Sequence, residues 1–254
     1  MTAAARFPAG VHRAFSPIRA GHFWFETRRQ IVIEAVGGLR RERDGAALEV
    51  GCGDGFVLSR LPGPRWIGVD EALDDLRIVR RDHRIPVVAA SGQALPLRVR
   101  FDVVAAFDVL EHIEDDVGAL RAWRAQLTPL GRLVLTVPAG PELWSRRDDF
   151  AGHRRRYSGA GLRAAVEEAG LRVERLRPLF RTLWPLAWLS ARVSRGTAVS
   201  DPVAEYQVSR PLNVLLRSLV RTEERLLRGS DRGRGTSWLV VARPARVAAD
   251  GSAA

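Results

Sequence analysis

The chain of 254 residues has no lysine and a single cysteine, so its forty basic residues are all arginine. One thiol, Cys52, excludes an intramolecular disulfide framework and a multi-cysteine metal site, and we assign no metal ligands from the sequence. Long apolar runs are also missing. The most apolar stretch, residues 182–191, is far shorter than the roughly 20 residues that a membrane-spanning helix needs. A disulfide scaffold and a transmembrane protein are therefore disfavoured.

Residues 1–10 contain no long apolar core, so we expect no secretory signal peptide. Together with the single cysteine, this favours a cytoplasmic protein, with peripheral contact at the inner face of the membrane as a further possibility. An apolar content of 46% is enough for one large domain with a sizeable core.

Positive charge is concentrated in the C-terminal part of the chain. Residues 1–150 carry 21 arginines and 20 acidic residues, a net charge of +1, whereas residues 151–254 carry 19 and 9, a net charge of +10. These values sum to the formal charge of +11. Such a balance suits an anionic partner. No nucleic acid is expected, because lysine is absent, aromatic and basic residues do not alternate, and the arginines lie beside an apolar segment.

Short apolar runs alternate with amphipathic stretches, which predicts an α/β fold with a doubly wound, mostly parallel sheet. The seven candidate strands are residues 46–50, 66–69, 86–89, 101–107, 132–137, 171–176 and 236–242. The predicted units are an N-terminal helical cap (1–45), a core (46–178), a helical insertion (179–235), the last core strand (236–243) and a flexible tail (244–254).

Helical spacing predicts further elements. A helix begins in the cap near Phe23, and another covers residues 117–127 and is stopped by Pro129 and Gly131. Ser158 should cap a helix that ends at Gly170, with an inward face of Leu162, Ala165, Val166 and Ala169. In the insertion, a Gly/Ser/Asp/Pro linker at residues 196–202 precedes a helix from 211 to 228. The apolar residues at helical spacing in that helix are Leu212, Leu215, Leu216, Leu219, Val220, Leu226 and Leu227.

The strongest chemical signal is a glycine loop at the end of the first strand, where Glu49 precedes Gly51, Cys52, Gly53 and Gly55, followed by a predicted helix at residues 56–61. Alternate glycines let the backbone turn sharply and approach a ligand, and ligands bind at this edge of a doubly wound sheet. Asp70 ends the second strand and can accept hydrogen bonds from both hydroxyls of a ribose. The spacing differs from the G-x-G-x-x-G loop that binds dinucleotides, which disfavours a nicotinamide oxidoreductase.

This loop resembles the first motif of the class I S-adenosylmethionine-dependent methyltransferases, in the bacterial type that acts on small or lipid-linked acceptors. The resemblance covers residues 46–137 and implies a Rossmann-like fold and S-adenosylmethionine as cofactor. It continues through the segments 93–96, 101–104 and 107–112. The cofactor-binding residues that it implies are Glu49, Gly51, Cys52, Gly53, Gly55, Asp70, Glu71, Ser91, Gly92, Gln93, Phe107 and Asp108. Relatives often have an aspartate at the position of Ser91, so Ser91 or Gln93 would contact the adenine as a neutral acceptor, or the segment is an ordinary turn.

Methyl transfer needs few catalytic residues, because a sulfonium is already an excellent leaving group. The candidates for a general base are Asp108, His112 and His153, although His112 is better explained as a binding or capping residue. Residues 138–157, here termed the acceptor loop, resemble a loop of the same bacterial subgroup. The expected acceptor contacts in this loop are Trp144, His153, Arg155 and Tyr157. Its arginine run at 154–156 either binds an anionic acceptor or is a solvated start of a helix.

The sequence therefore predicts an S-adenosylmethionine-dependent methyltransferase that methylates a small or lipid-linked acceptor, at oxygen. The alternatives are a nucleic-acid methyltransferase and a non-catalytic S-adenosylmethionine-binding protein. Residues 179–189 and the arginines at 217, 221, 225 and 228 suit a segment lying on an anionic membrane. The same segments could instead cover the sheet edge or form a dimer interface, and no oligomeric state is predicted.

Overall fold

The computed structural model describes residues 11–40, 45–63, 65–193 and 206–245. Within these residues one sheet has seven strands in the order β3-β2-β1-β4-β5-β7-β6. Strand β7 runs antiparallel to the other six, which are parallel to one another. The strands are β1 (Ala47–Val50), β2 (Trp66–Asp70), β3 (Val87–Ala89), β4 (Phe101–Phe107), β5 (Leu127–Pro138), β6 (Leu171–Leu179) and β7 (Ser237–Pro244). The predicted Rossmann-like, doubly wound fold is confirmed.

Eight α-helices accompany the sheet in the described part of the chain. They are α1 (Val11–Arg19), α2 (Phe23–Arg40), α3 (Leu73–Ile78), α4 (Asp116–Ala125), α5 (Arg146–Ala151), α6 (Gly159–Glu168), α7 (Trp184–Val193) and α8 (Arg210–Leu227). Two apolar clusters lie on opposite faces of the sheet. In β1, Leu48 faces the cluster containing α4 and α6, whereas Ala47 faces the cluster containing α2, α3 and part of α8.

The helix predicted at residues 56–61 is wrong. This segment contains only a short 3₁₀-helix, Leu58–Arg60, which lies between Gly55 and Pro62. Gly55 has a φ of +83°, so helical geometry cannot extend back through it, and the chain turns away again at Pro62.

The predicted stop of the fourth helix at Pro129 and Gly131 is also wrong. Helix α4 ends at Ala125, and Pro129 and Gly131 lie inside β5, which begins at Leu127. The backbone N–H of Phe101 donates to the carbonyl of Gln126 at 2.7 Å and draws the chain into the sheet before the proline is reached. A register shift in the β4–β5 pairing accommodates the two residues.

Helix α6 agrees with its prediction. The Ser158 hydroxyl accepts a hydrogen bond from the Gly161 N–H at 3.0 Å, which caps the helix. Leu162 and Val166 are fully buried, and Gly170 follows the helix with a φ of +77°. The sequence pattern thus predicts both the ends and the inward face of this helix.

The apolar face predicted for the insertion helix α8 is mostly on the surface. Val220 is buried and Leu216 packs partly against the core, whereas the other five residues are exposed. Those exposed residues are Leu212, Leu215, Leu219, Leu226 and Leu227. The predicted linker at 196–202 and the tail beyond residue 245 lie outside the described residues.

Candidate active site

The glycine loop follows β1 and requires glycine by its backbone conformation. Gly51, Gly53 and Gly55 have φ values of +71°, +51° and +83°, in the left-handed region that side chains disfavour. A Cβ atom at Gly51 would lie 2.4 Å from Cγ2 of Val109, which no side chain could avoid without a shift. The loop can therefore approach a ligand only with glycine at these positions.

Asp70 closes the glycine loop from β2. Its Oδ2 accepts a hydrogen bond from the Gly53 N–H at 2.8 Å, and its Oδ1 accepts one from the Ala72 N–H at 2.9 Å. On the other side, Arg19 of α1 forms a salt bridge with Asp54 of the loop. The predicted ribose acid thus lies beside the loop, and α1 adds a contact that the sequence analysis did not foresee.

Glu49 lies beneath the loop and is almost completely buried. Burial raises the pKa of its carboxyl well above the usual range, the charge of Asp70 adds to this shift, and the Arg28 guanidinium opposes it. Its Oε2 has no hydrogen-bond partner within the described structure. An amino group such as the ammonium of a bound methionine moiety would supply the missing donor, so these residues fit S-adenosylmethionine.

The remaining predicted donor residues differ in their surroundings. Cys52 is buried, and burial together with the charges of Glu49 and Asp70 raises the pKa of its thiol, so it packs as an apolar group. Phe107 is also buried, whereas Glu71 is exposed.

The segment Ser91 to Gln93 forms a turn against the end of β1. The Gln93 N–H donates to the Ser91 hydroxyl at 3.3 Å, and the Gly92 carbonyl accepts a hydrogen bond from the Trp123 indole at 2.7 Å. A Cβ at Gly92 would lie 3.2 Å from Val50, which places this turn next to the glycine loop. The contact of these residues with an adenine stays a prediction.

Asp108 follows β4 with a φ of +56°, a strained conformation for a residue other than glycine. Its Oδ2 forms a 2.6 Å salt bridge with the buried Arg28 of α2, and its Oδ1 accepts a hydrogen bond from the Thr136 hydroxyl at 2.9 Å. Arg28 also donates to Thr136. A carboxylate held by these two partners is better suited to positioning than to removing a proton.

His153 of the acceptor loop is oriented by a buried aspartate. Its Nδ1 lies 2.8 Å from Oδ1 of Asp148, and its Nε2 lies 3.9 Å from Oε1 of Glu111. Burial disfavours the charge of Asp148, but the hydrogen bond from His153 and the charge of Arg156 lower its pKa overall. His112 packs edge-on against His153, with ring centroids 4.9 Å apart. The structure therefore brings two of the three predicted catalytic residues together.

Glu111 lies next to these rings and is fully buried. Burial and the neighbouring Asp108 carboxylate raise the pKa of Glu111 well above the usual range. The predicted acceptor residue Trp144 donates its indole N–H to Asp149 at 3.0 Å and is partly buried.

The three arginines of the acceptor loop bind groups of the protein itself. Arg154 donates to the carbonyl of His112, Arg155 forms a 2.8 Å salt bridge with Asp116, and Arg156 donates to Asp148. These contacts tie the acceptor loop to the chain after β4. The three side chains are only partly exposed, and binding of an anionic acceptor by this run stays a prediction.

Tyr157 shares the partner of Arg155, because its hydroxyl donates to Asp116 Oδ2 at 2.7 Å. Burial and this hydrogen bond raise the pKa of the phenol. Contact of Arg155 and Tyr157 with an acceptor stays a prediction, since both have partners in helix α4.

The sequence analysis did not include Arg28, Thr136, Glu111 or Asp148 among the site residues. A signal for Arg28 is its helical spacing with Trp24 and Ile31, because it interrupts an otherwise apolar stripe of α2. Asp148 forms a capping box with Ser145, and that spacing can be recognised in a sequence. The sequence around Thr136 carries no comparable signal.

The fold and this loop define a nucleotide-binding α/β protein of the methyltransferase type. Residues 21–176, more than half of the chain, match the model of a family described as a methyltransferase domain. The chain belongs to this family. Its resemblance to class I S-adenosylmethionine-dependent methyltransferases is thereby confirmed, and S-adenosylmethionine is its cofactor.

Curated relatives with sequence similarity are ubiquinone biosynthesis O-methyltransferases. The protein of Bradyrhizobium diazoefficiens is 30% identical over 142 residues, which cover 51% of this chain and 53% of that protein. The protein of Methylocella silvestris is 32% identical over 143 residues, covering 48% and 52%. The chain thus spans about half the length of the curated relatives that it matches.

Solved structures share the fold. An S-adenosylmethionine-dependent methyltransferase from Mesorhizobium loti has a TM-score of 0.53 at 16% identity and covers 82% of this chain and 96% of that chain. One from Clostridium acetobutylicum has a TM-score of 0.51 at 9% identity, with 79% and 84% covered. In the part of the chain that the structure describes, no helix is both long and apolar enough to cross a membrane.

Proposed function

We propose that this protein transfers a methyl group from S-adenosylmethionine to an oxygen atom of a small or lipid-linked acceptor. The observation that carries the proposal is the orientation of His153, whose Nδ1 is held by Asp148 and whose Nε2 points towards Glu111. Methylation of a hydroxyl requires loss of its proton, and a positioned imidazole is well suited to accept it near neutral pH. The names of the curated relatives support oxygen as the methylated atom.

On the donor side, Glu49, the glycine loop and Asp70 would hold S-adenosylmethionine. When bound, it supplies a methyl group on a positively charged sulfonium. Asp70 would accept hydrogen bonds from the ribose hydroxyls, and the unpartnered Oε2 of Glu49 would accept one from the amino group of the methionine part. The chain's main task is then to align the acceptor oxygen with the methyl group and exclude water.

On the acceptor side, we assign proton removal to the cluster around His153, with His112 and Trp144 beside it. Asp108 would position the chain after β4, because Arg28 and Thr136 already occupy its carboxylate oxygens. Arg155 and Tyr157 would act on the acceptor only through the shape of the acceptor loop.

Methyl transfer to extracted compounds tests the proposal. The purified protein is incubated with methyl-labelled S-adenosylmethionine and, in separate reactions, a bacterial lipid extract, a polar metabolite extract and bulk tRNA. We expect label in a lipid or small-molecule product whose new methyl group is ether-linked. Label only in tRNA would favour the nucleic-acid alternative, and donor binding without transfer to any extract would favour a non-catalytic protein.

Calorimetry separates the donor and acceptor roles. Asp70→Ala should weaken S-adenosylmethionine binding by about 1.5–3 kcal/mol, the scale for hydrogen bonds to a charged group. Asp74→Ala is the matched control, because Asp74 is exposed and, among the described residues, forms a salt bridge with Arg77 alone. His153→Gln should lower methyl transfer from labelled S-adenosylmethionine to the extracts while donor affinity stays unchanged. Equal loss of donor affinity in both aspartate variants would remove Asp70 from the donor site.

We also propose that α8 contacts an anionic membrane surface, which would give access to a lipid-linked acceptor. Leu215, Leu219 and Leu226 are exposed and fall on one stripe of the helix at 3.6 residues per turn. Arg221 and Arg225 are also exposed, about 100–140° around the helix from these leucines at 3.6 residues per turn. This arrangement suits a helix lying in a headgroup layer.

Helix α7 contributes a second apolar surface to this proposal. Leu186 and Leu189 are more than half exposed, and the Trp184 and Trp188 rings stack 6.3 Å apart with Arg192 over Trp188. The neighbouring Leu179 and Phe180, which the sequence analysis included in the membrane segment, are buried in the core and would not take part.

Vesicle sedimentation tests membrane contact. We expect binding to vesicles containing phosphatidylglycerol that weakens with salt and with the double variant Leu215→Ser plus Leu219→Ser, and no binding to purely phosphatidylcholine vesicles. If the folded protein stays in the supernatant at low salt, the proposal is wrong. A dimer of the wild type that the double variant dissociates would instead assign this face to a second copy.

A further inference from the structure

Three side chains outside the donor site meet between the chain after β4 and the acceptor loop. One ligand atom from each of Glu111, His112 and His153 lies within 4.8 Å of the other two. Glu111 is 0% exposed, and neither of its carboxylate oxygens has a hydrogen-bond partner within the described structure. We propose that these three residues form a binding site for one divalent transition-metal ion, with Zn²⁺ the ion that the donor set suits best.

The second nitrogen of each ring has a partner that orients it. The Gly152 carbonyl can only accept a hydrogen bond, so we assign the proton of the neutral His112 ring to Nδ1, which lies 3.3 Å from that carbonyl. The Nδ1 of His153 donates in the same way to Asp148, at 2.8 Å. Metal-binding histidines are typically held by such a carboxylate or carbonyl on the nitrogen that does not bind the metal.

Asp148 is itself held in place. It accepts a hydrogen bond from Arg156 at 2.8 Å and one from the Ser145 N–H at 2.8 Å. These contacts fix the ring of His153 with Nε2 directed at Glu111. The position of the His153 ring is therefore fixed by the surrounding structure and does not depend on contact with the other two ligands.

A plain hydrogen bond between His153 and Glu111 does not explain the cluster. The 3.9 Å between Nε2 and Oε1 is longer than a hydrogen bond, and Oε2 also lacks a partner. Leaving a buried carboxylate unsatisfied costs free energy of folding. A bound cation would satisfy the carboxylate and use the two imidazole lone pairs at once.

The kind of ion follows from the ligand atoms. Two imidazole nitrogens and one carboxylate suit Zn²⁺, and catalytic zinc sites commonly have three protein ligands and one open position. Ligand atoms around tetrahedral Zn²⁺ are about 3.4 Å apart, a geometry that follows from metal–ligand bonds of about 2.1 Å. Small side-chain movements would bring these three groups to that spacing. Mg²⁺ is disfavoured, because it prefers an all-oxygen shell.

The site has a consequence for the reaction, which rests on the proposed function. An acceptor hydroxyl bound at the open position would lose its proton to solvent more readily, since a metal ion lowers the pKa of a bound hydroxyl. The oxygen would then bond to the methyl carbon as the carbon–sulfur bond breaks, and the electron pair of that bond would stay on sulfur. The proton removal that we assign to the cluster around His153 would then take place through the metal ion that His153 helps to hold.

Metal binding by the whole protein tests the inference without any assay of activity. Chelator-treated protein is dialysed against Zn²⁺, and against Co²⁺ for its ligand-field absorption. We expect one ion per chain, a rise in the melting temperature on binding, and a loss of affinity of more than about 100-fold in Glu111→Gln and in His153→Gln. Asp148→Asn should lose about 10- to 100-fold, since it disturbs only the orientation of His153. His83→Gln, an exposed histidine outside the cluster, should bind as the wild type does.

Unchanged affinity in Glu111→Gln and His153→Gln, or no saturable binding by folded wild type, would overturn the inference. If Glu111→Gln does not fold, His153→Gln and the cobalt spectrum of the wild type decide alone. Metal binding without methyl transfer to any extract would refute the proposed function and leave the metal site. Equal methyl transfer by metal-free and zinc-loaded protein would refute the role of the metal ion in the reaction and leave the proposed function.

Discussion

Helices α6 and α8 both show apolar residues at helical spacing, yet only α6 buries them. Leu162 and Val166 of α6 are fully buried against the sheet, whereas Leu215 and Leu226 of α8 are 64% and 76% exposed. Helix α6 packs on a face of the sheet, against β6 and beside α4. Helix α8 packs mainly on α2, which offers a narrower surface. Spacing predicts which residues of a helix share a face, but not what that face contacts.

Polar groups hold α8 in place instead. Glu223 is buried and accepts hydrogen bonds from the Arg181 N–H at 2.7 Å and from the N–H and hydroxyl of Thr182 at 2.8 and 2.6 Å. Glu224 accepts two from the buried Arg177 at 2.7 and 2.8 Å. The insertion helix is thus oriented by charge-assisted hydrogen bonds, which leaves its leucines for another contact.

The largest expected effect compares a leucine from each helix. Leu162→Ala should destabilise the protein by about 2–5 kcal/mol, because it leaves a cavity in the core. Leu226→Ala should change stability by less than about 0.5 kcal/mol, as exposed substitutions usually do. Urea unfolding of both variants measures the difference. Similar losses in the two would mean that the leucine face of α8 is covered in solution.

The second prediction concerns the polar attachment of α8. Glu223→Ala should cost about 1.5–3 kcal/mol, because it removes hydrogen bonds to a charged group and leaves the N–H groups of Arg181 and Thr182 without this acceptor. Thr222→Ala, at an exposed neighbouring position, is the control. The measurement is again urea unfolding. A loss no greater than that of the control would show that apolar contacts alone hold the helix.

The third prediction compares two buried acids, because Glu223 is fully hydrogen-bonded whereas Glu49 has an oxygen without a partner. Burial raises the pKa of Glu49 well above the usual 4.5. Between pH 4.5 and that raised pKa, Glu49 is protonated in the folded state and ionised in the unfolded state. Stability contributed by protonated Glu49 is therefore lost as the pH rises through its folded-state pKa.

The variant Glu49→Gln has no carboxyl group at this position, so its stability does not fall as the pH rises through the folded-state pKa of Glu49. We expect the melting temperature of the ligand-free variant to exceed that of the wild type by about 2–4 °C near neutral pH, the shift that about 1 kcal/mol produces in a chain of this size. The difference should shrink towards pH 4.5. S-adenosylmethionine affinity should fall in the same variant. A difference that grows on acidification would contradict the shifted pKa.

The smallest effect is expected for an exposed ion pair of α6. Arg163 and Glu167 lie 3.3 Å apart with nearly half of each side chain exposed, so Glu167→Gln should cost less than about 0.5 kcal/mol. Glu224→Gln in α8 should cost more, because its partner Arg177 is buried. Thermal unfolding at low and high salt separates them. If both variants lose the same stability, the ion pair of α8 contributes no more than the exposed ion pair of α6.

The sequence by itself determined the strands, the glycine loop, Asp70 as the end of β2, and both ends of α6. Each of these features depends on interactions between near neighbours in the chain or on the two-residue repeat of a strand. The glycines are a clear case, because a backbone with positive φ requires them whatever packs nearby. The early start of β5 depended on competition between local and sheet hydrogen bonds, which spacing does not report. The helix after Gly55 is short because of the backbone conformation of Gly55 and the turn at Pro62.

Only the tertiary structure decided which side chains of the acceptor loop meet the chain after β4, and which face of α8 is exposed. Glu111 and His153 are separated by α4, β5 and α5 in the chain, and their approach depends on the contacts that tie the acceptor loop to the chain after β4. Arg28 reaches Asp108 from α2 in the same way. Sequence patterns report the periodicity of one element, whereas burial and pKa shifts arise from the charges and surfaces of every element packed against it.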